Sequence, residues 1–202
     1  MTRSRRHGDA GQAFPIYITV VGGLLFLAFA YFAVGQAAAT RNEAQTAADA
    51  AALAAAQDRR DLLAGRWLTD VLDPGRWQDI FDGNVQDLEP SCWRAEELAT
   101  QNGAHLTGAG CYSPEPLRFT VEVETDDPVG DSIVPGTESR HATATATAVI
   151  EPRCGFKPLP EDAEDDVLPS LTCKGGAIWD LDPDNLLDLP EPKDLFDVHL
   201  AD

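Results

Sequence analysis

"AGQAFPIYITVVGGLLFLAFAYFAVGQAAAT" (residues 10–40) carries no charged side chain, and "RNEAQTAADAAALAAAQDRRDLL" (residues 41–63) follows it with neither Gly nor Pro to stop a helix. How that junction is read decides the fold. Phe14 to Ala39 is 26 residues, about 39 Å as a helix, against a hydrocarbon core of about 30 Å, so the run spans a bilayer with some tilt. A cleavable signal has a shorter apolar region, about 7–15 residues, ahead of a small-residue site. "AAA" at Ala37 to Ala39 supplies such a site, and release near Ala39 stays open as a second reading. The length of the run favours a retained anchor.

Working outward from the run, Pro15 falls in the first helical turn, where its missing N–H costs nothing. Tyr17 and Tyr31 stand toward the two ends, as interfacial aromatics do. Beyond Thr40 the helix is expected to continue, because alanine has the highest helix propensity. Ala44, Ala48, Ala51 and Ala55 recur at spacings of four and three, a seam small enough for another helix to approach closely. A solvated alanine-rich stalk is the alternative reading of the same pattern.

Charge is distributed unevenly about the run. Arg3, Arg5, Arg6 and His7 precede it against one acid, Asp9, whereas 11 Lys and Arg stand against 33 Asp and Glu after Arg41, within a net charge of −19. The positive-inside rule then keeps the N-terminus cytoplasmic and places the acidic remainder across the membrane. No Lys/Arg stripe of the kind a phosphate backbone requires is present, which argues against a nucleic-acid partner. Four cysteines, Cys92, Cys111, Cys154 and Cys173, all follow the run. They form no C-x-x-C pair, and an even number in an exported region fits disulfides better than zinc. Three pairings are possible. Cys92 with Cys111 and Cys154 with Cys173 is favoured, each closing a moderate loop and contributing about 3 kcal/mol in the loop-entropy description.

The region after the helix reads as α+β. Gly65 is expected to loosen the helix, and "DPG" (residues 73–75) makes a turn. "RWLTDVL" and "RWQDIF" read as short amphipathic helices whose Trp67 and Trp77 belong to the core. Ser91 is placed to cap a helix to about Asn102, stopped by Gly103. "LRFTVEVET" alternates, with Leu117, Phe119, Val121 and Val123 on one side, and "RHATATATAVI" alternates again, so the two predict an antiparallel pair joined by a long Pro- and Gly-containing connection from Asp126 to Ser139. From Gly155 the chain has 13 acids against three Lys. Much of that Pro-rich tail is expected to be poorly ordered.

No G-x-S-x-G, Walker loop, dinucleotide fingerprint or H-E-x-x-H occurs, and His7, His105, His141 and His199 have no metal-ligand spacing. No catalytic, cofactor-binding or metal residue is therefore assigned, and no enzymatic activity is expected. One acidic stretch stands apart: Asp180, Asp182, Asp184, Asp188 and Glu191 occupy positions 1, 3, 5, 9 and 12 of an EF-hand loop. Pro183 and Pro190 fall inside it, and no helix pair flanks it.

The run from Gly11 to Gln57, with its "ADAAALAAA" block at Ala48 to Ala56, resembles the N-terminal segment of TadE/TadG-like proteins of the tight-adherence (Flp) pilus system. The later "ATQNGAHLTGAGC" with its two alternating strands resembles the exported domain of short TadE-like members. Members cut by the prepilin peptidase carry Glu five residues after the cleaved Gly, a place that Ile16 takes here counting from Gly11. Nor does the D-x-S-x-S metal motif of the larger relatives' von Willebrand A-type domain occur. The resemblance implies a non-catalytic, pseudopilin-like minor component or assembly factor of a pilus or related secretion apparatus. The expected organisation is a cytoplasmic N-terminus (1–12), a transmembrane helix (13–39), an alanine-rich extension (40–64), a small α+β extracytoplasmic domain (65–154) and an acidic tail (155–202). Expected partners are the lipid bilayer and other membrane proteins of the apparatus, met through the alanine-rich helix. The alternative is a secreted acidic binder, released near Ala39, with a calcium-dependent tail.

Overall fold

The uncharged run and the alanine block form one uninterrupted helix, α1 (Ala13–Thr69), of 57 residues and about 85 Å. The computed structural model describes residues 13–128, 139–160 and 167–201. The basic N-terminus with Gly11, most of the connection expected between Asp126 and Ser139, and residues 161–166 of the tail lie outside the described residues.

Helix α1 does not loosen at Gly65. A mid-helix glycine costs about 1 kcal/mol relative to alanine, and the neighbouring Leu63, Ala64 and Trp67 are fully buried and hold the last turns in place. The residues expected to start a separate helix at Arg66 are thus the end of α1, followed by a 3-10 turn (Pro74–Arg76) and α2 (Trp77–Phe81). α3 (Cys92–Gln101) begins after Ser91, which sits at the N-cap without a cap bond from its hydroxyl. That side chain is buried, and its Oγ has no partner among the described residues. Gly103, at φ +68°, ends the helix as expected, in the left-handed region where a Cβ would be strained.

Four strands form the main sheet in the order β1 (Ala104–Glu115), β2 (Arg118–Thr125), β3 (Thr143–Pro152) and β7 (Phe196–Leu200), every neighbour antiparallel. The expected β2–β3 pair is present, and its register explains the core. Phe119, Val121 and Val123 lie opposite Ala148, Ala146 and Ala144, so bulky residues alternate with small ones across the face that meets α1. On the opposite face Thr120 and Thr147 share a hydroxyl hydrogen bond of 2.9 Å. The arrangement is α+β: α1 packs on β2, β3 and β7, and α3 lies beside it against β1.

Alanine allows this close layering. Ala44, Ala47, Ala48, Ala51, Ala52, Ala55 and Ala56 are all fully buried within the chain itself, so the seam expected to receive partner helices is occupied by α3, β2 and β3. It is no solvated stalk either. The buried face is wider than one seam needs, because the sheet and α3 both cover it, while Thr46, Gln57 and Asp61 keep one face open to water. Trp67 and Trp77, expected in that core, stack at 5.5 Å between ring centroids, and the cluster continues through Phe156 and Phe81 to Phe196.

The tail departs most from expectation. β4 (Cys154–Phe156), β5 (Leu171–Cys173) and β6 (Ile178–Trp179) make a second antiparallel sheet, and a turn of helix, α4 (Pro192–Leu195), leads into β7. Leu171, Leu195 and Phe196 are fully buried. Average acidity concealed a few well-spaced apolar residues and the open edge of β3, which β7 completes. Both favoured disulfides are formed, Cys92–Cys111 tying α3 to β1 and Cys154–Cys173 tying β4 to β5.

Candidate membrane anchor and assembly surface

The first half of α1 touches almost nothing. Its large apolar side chains are exposed along the whole run, including Phe14, Tyr17, Leu24, Phe26, Tyr31 and Val34. Among them Thr19 donates its hydroxyl to the Pro15 carbonyl at 2.8 Å, so that group makes no demand on water, while the Tyr17 and Tyr31 hydroxyls stand toward the two ends of the run. The most apolar part of the helix has a mean hydropathy of 2.2, and none of it is buried. By length and composition this is a helix able to cross a membrane.

At Thr40 the surroundings change within a turn. Thr40 is 8% exposed and Ala44 is completely covered, so the apolar run leads into the folded part with no intervening linker. Arg41 and Glu43 are the first charged residues of α1, and with Asn42 they are exposed.

Ionisable groups beyond this point stabilise local structure. Arg59 has its guanidinium 5.8 Å from the Phe119 ring centre; burial lowers its pKa, while Asp58 opposes the shift. Glu151 accepts from Lys174 at 2.8 Å, and that bond and charge hold its carboxyl below the ordinary value. The Lys193 ammonium is held above its ordinary value by the hydrogen bond to Glu191. His105 Nδ1–H donates to Asp126 at 2.7 Å, and His141 Nδ1–H donates to the Thr125 carbonyl at 2.7 Å. His199 lies 3.6 Å from Asp197. The three histidines are on separate elements or separate ends of the sheet.

The five acids at EF-hand spacing are not brought together. Asp180 accepts from the Ser170 hydroxyl, Asp182 accepts the Asp184 N–H and forms a bridge with Asn185, and Glu191 pairs with Lys193. Among the described residues no three His, Cys, Asp or Glu side chains are placed to hold a metal ion.

Sequence reasoning located the exposed apolar helix able to span a membrane but missed that the alanine block is internal and that β7 closes the sheet. The available signals were eight alanines among the ten residues Ala47 to Ala56, too many for one seam, and the alternation of Phe196, Val198 and Leu200. Comparison with curated proteins and with solved structures gave no match. The family comparison agrees with the resemblance seen at the N-terminus: residues 11–58, covering the exposed run and the first buried turns of α1, match the family described as putative Flp pilus-assembly TadE/G-like.

Proposed function

We propose that the protein is a single-pass membrane component of a Flp/Tad-type pilus or related secretion apparatus, a pseudopilin-like minor subunit or assembly factor without catalytic activity. Residues 1–12 face the cytoplasm, 13–39 cross the bilayer, and the acidic remainder stands outside. The observation that carries this reading is the change in surroundings along α1, exposed and apolar before Thr40 and enclosed after it. The TadE/G-like match over the same segment supports the pilus setting, and the basic N-terminus supports the orientation.

Burial of the alanines narrows how partners bind. Partner helices meet this chain through the exposed apolar half of α1, inside the bilayer, because the alanine half is occupied by its own strands and α3. The test is the mature N-terminus by mass spectrometry from the native host, combined with carbonate extraction and co-purification. Retention of the apolar run, resistance to carbonate and recovery with pilus proteins are expected. A start near Thr40 with release by salt would replace this reading with the secreted binder.

A further inference from the structure

The missing linker determines which end of the exported part lies against the anchor. Gln45 and Asp49 share a notch with Thr145, Ala146, Thr147, Leu200 and Ala201, so the start of β3 and the end of β7 flank the first turns beyond the apolar run. Farther along α1, Arg59 lies over Phe119, which pairs with Ala148. Farther still, Trp67 meets Trp77, which meets Phe156 just past the end of β3. Strand β3 therefore climbs away from the anchor.

Hydrogen bonds assemble the rest of this base. Thr125 N–H donates to the Ala142 carbonyl and Asp126 N–H to the Gly103 carbonyl, each at 2.9 Å, and His141 donates to the Thr125 carbonyl. The base is thus the start of β1, the end of β2 and the start of β3, beside Thr40.

We propose that this base rests on the headgroups of the outer leaflet, with lipid phosphates meeting Arg41 and Arg140. The proposal rests on the spanning reading of α1. Its support is continuity: α1 is unbroken and Thr40 is already covered, so among the described residues nothing lifts the folded part away from the surface that the helix leaves. Arg41 and Arg140 are exposed, and among the described residues neither has a carboxylate partner. Arg60, Arg66, Arg76, Arg94, Arg118, Lys174 and Lys193 all do; the other exposed cations without one, Arg153 and Lys157, lie past the far end of β3. Of the acids at this end, Asp126 is paired with His105 and Glu124 lies 3.9 Å from the same ring; Glu43 and Asp127 remain exposed to water. Arginine beside a bilayer is attracted to anionic lipid.

The test uses the full chain in nanodiscs of phosphatidylcholine and phosphatidylglycerol, with a photocrosslinking amino acid at Thr143, exposed at the base, or at Ile178, exposed on the second sheet. Lipid adducts are expected from Thr143 and not from Ile178. Arg41→Glu combined with Arg140→Glu is expected to lower the Thr143 yield several-fold while leaving carbonate resistance unchanged. A carbonate-resistant chain without adducts at Thr143, or with equal adducts at both sites, overturns the resting base. An unchanged yield in the double variant overturns the role of the arginines. A chain stripped by carbonate removes the spanning reading and this proposal together.

Discussion

The two halves of α1 are one backbone in two kinds of surroundings. Before Thr40 the helix presents Leu, Ile, Val and Phe to its surroundings, and after it presents alanine to a core of its own making. In lipid the size of a side chain matters little and its polarity matters greatly. Between a sheet and a second helix the reverse holds, because close-packed layers leave no room for an added methylene. Large residues in the exposed half and small ones in the buried half answer these two demands.

Substitutions in the two halves should therefore fail in different assays. Leu24→Arg with Leu25→Arg should oppose insertion by about 2.5–3.5 kcal/mol each, appearing as loss of carbonate resistance with an unchanged melting transition in detergent. Trp67→Ala should do the opposite, costing about 3–5 kcal/mol of folding stability and lowering the melting temperature while extraction is unaffected. Ala51→Leu, harmless on a partner-facing seam in the absence of the partner, should cost about 1–3 kcal/mol in the isolated chain. Unchanged melting of that variant would reverse the assignment of the alanine half.

Smaller effects sharpen the contrast. A Cβ at Gly65 meets nothing within 4 Å, so Gly65→Ala should raise stability by about 0.5–1 kcal/mol. Glu151, whose folded pKa is lowered chiefly by Lys174, contributes above the ordinary carboxylate range, and that contribution fades as pH falls through the lowered value. Lys174→Ala should move the Glu151 carboxyl titration upward by NMR, with little effect on melting because both groups are exposed.

The parts legible in the sequence were those set by local pattern: the apolar run, the alternation of β2 and β3, the stop at Gly103 and the short-range cysteine pairs. The parts missed depended on who packs against whom. Four alanines at helical spacing read identically whether a partner or the chain's own sheet covers them. An acidic, Pro-rich stretch reads as unstructured unless Phe196, Val198 and Leu200 are weighed against the vacant edge of β3. For the candidate site, the anchor could be read from residue type, whereas the base beside it is assembled from four separated segments and became visible only with the fold.

Because α1 passes from the apolar run into the core without a joint, tilt and rotation of the anchor are mechanically the tilt and rotation of everything beyond it. A load applied to the outer end is transmitted along a single shaft whose far part is clamped on two sides and whose near part is free to swing. In the proposed membrane-spanning arrangement, such a part would convert a change in packing among neighbouring spans into a change in the direction its outer surface faces.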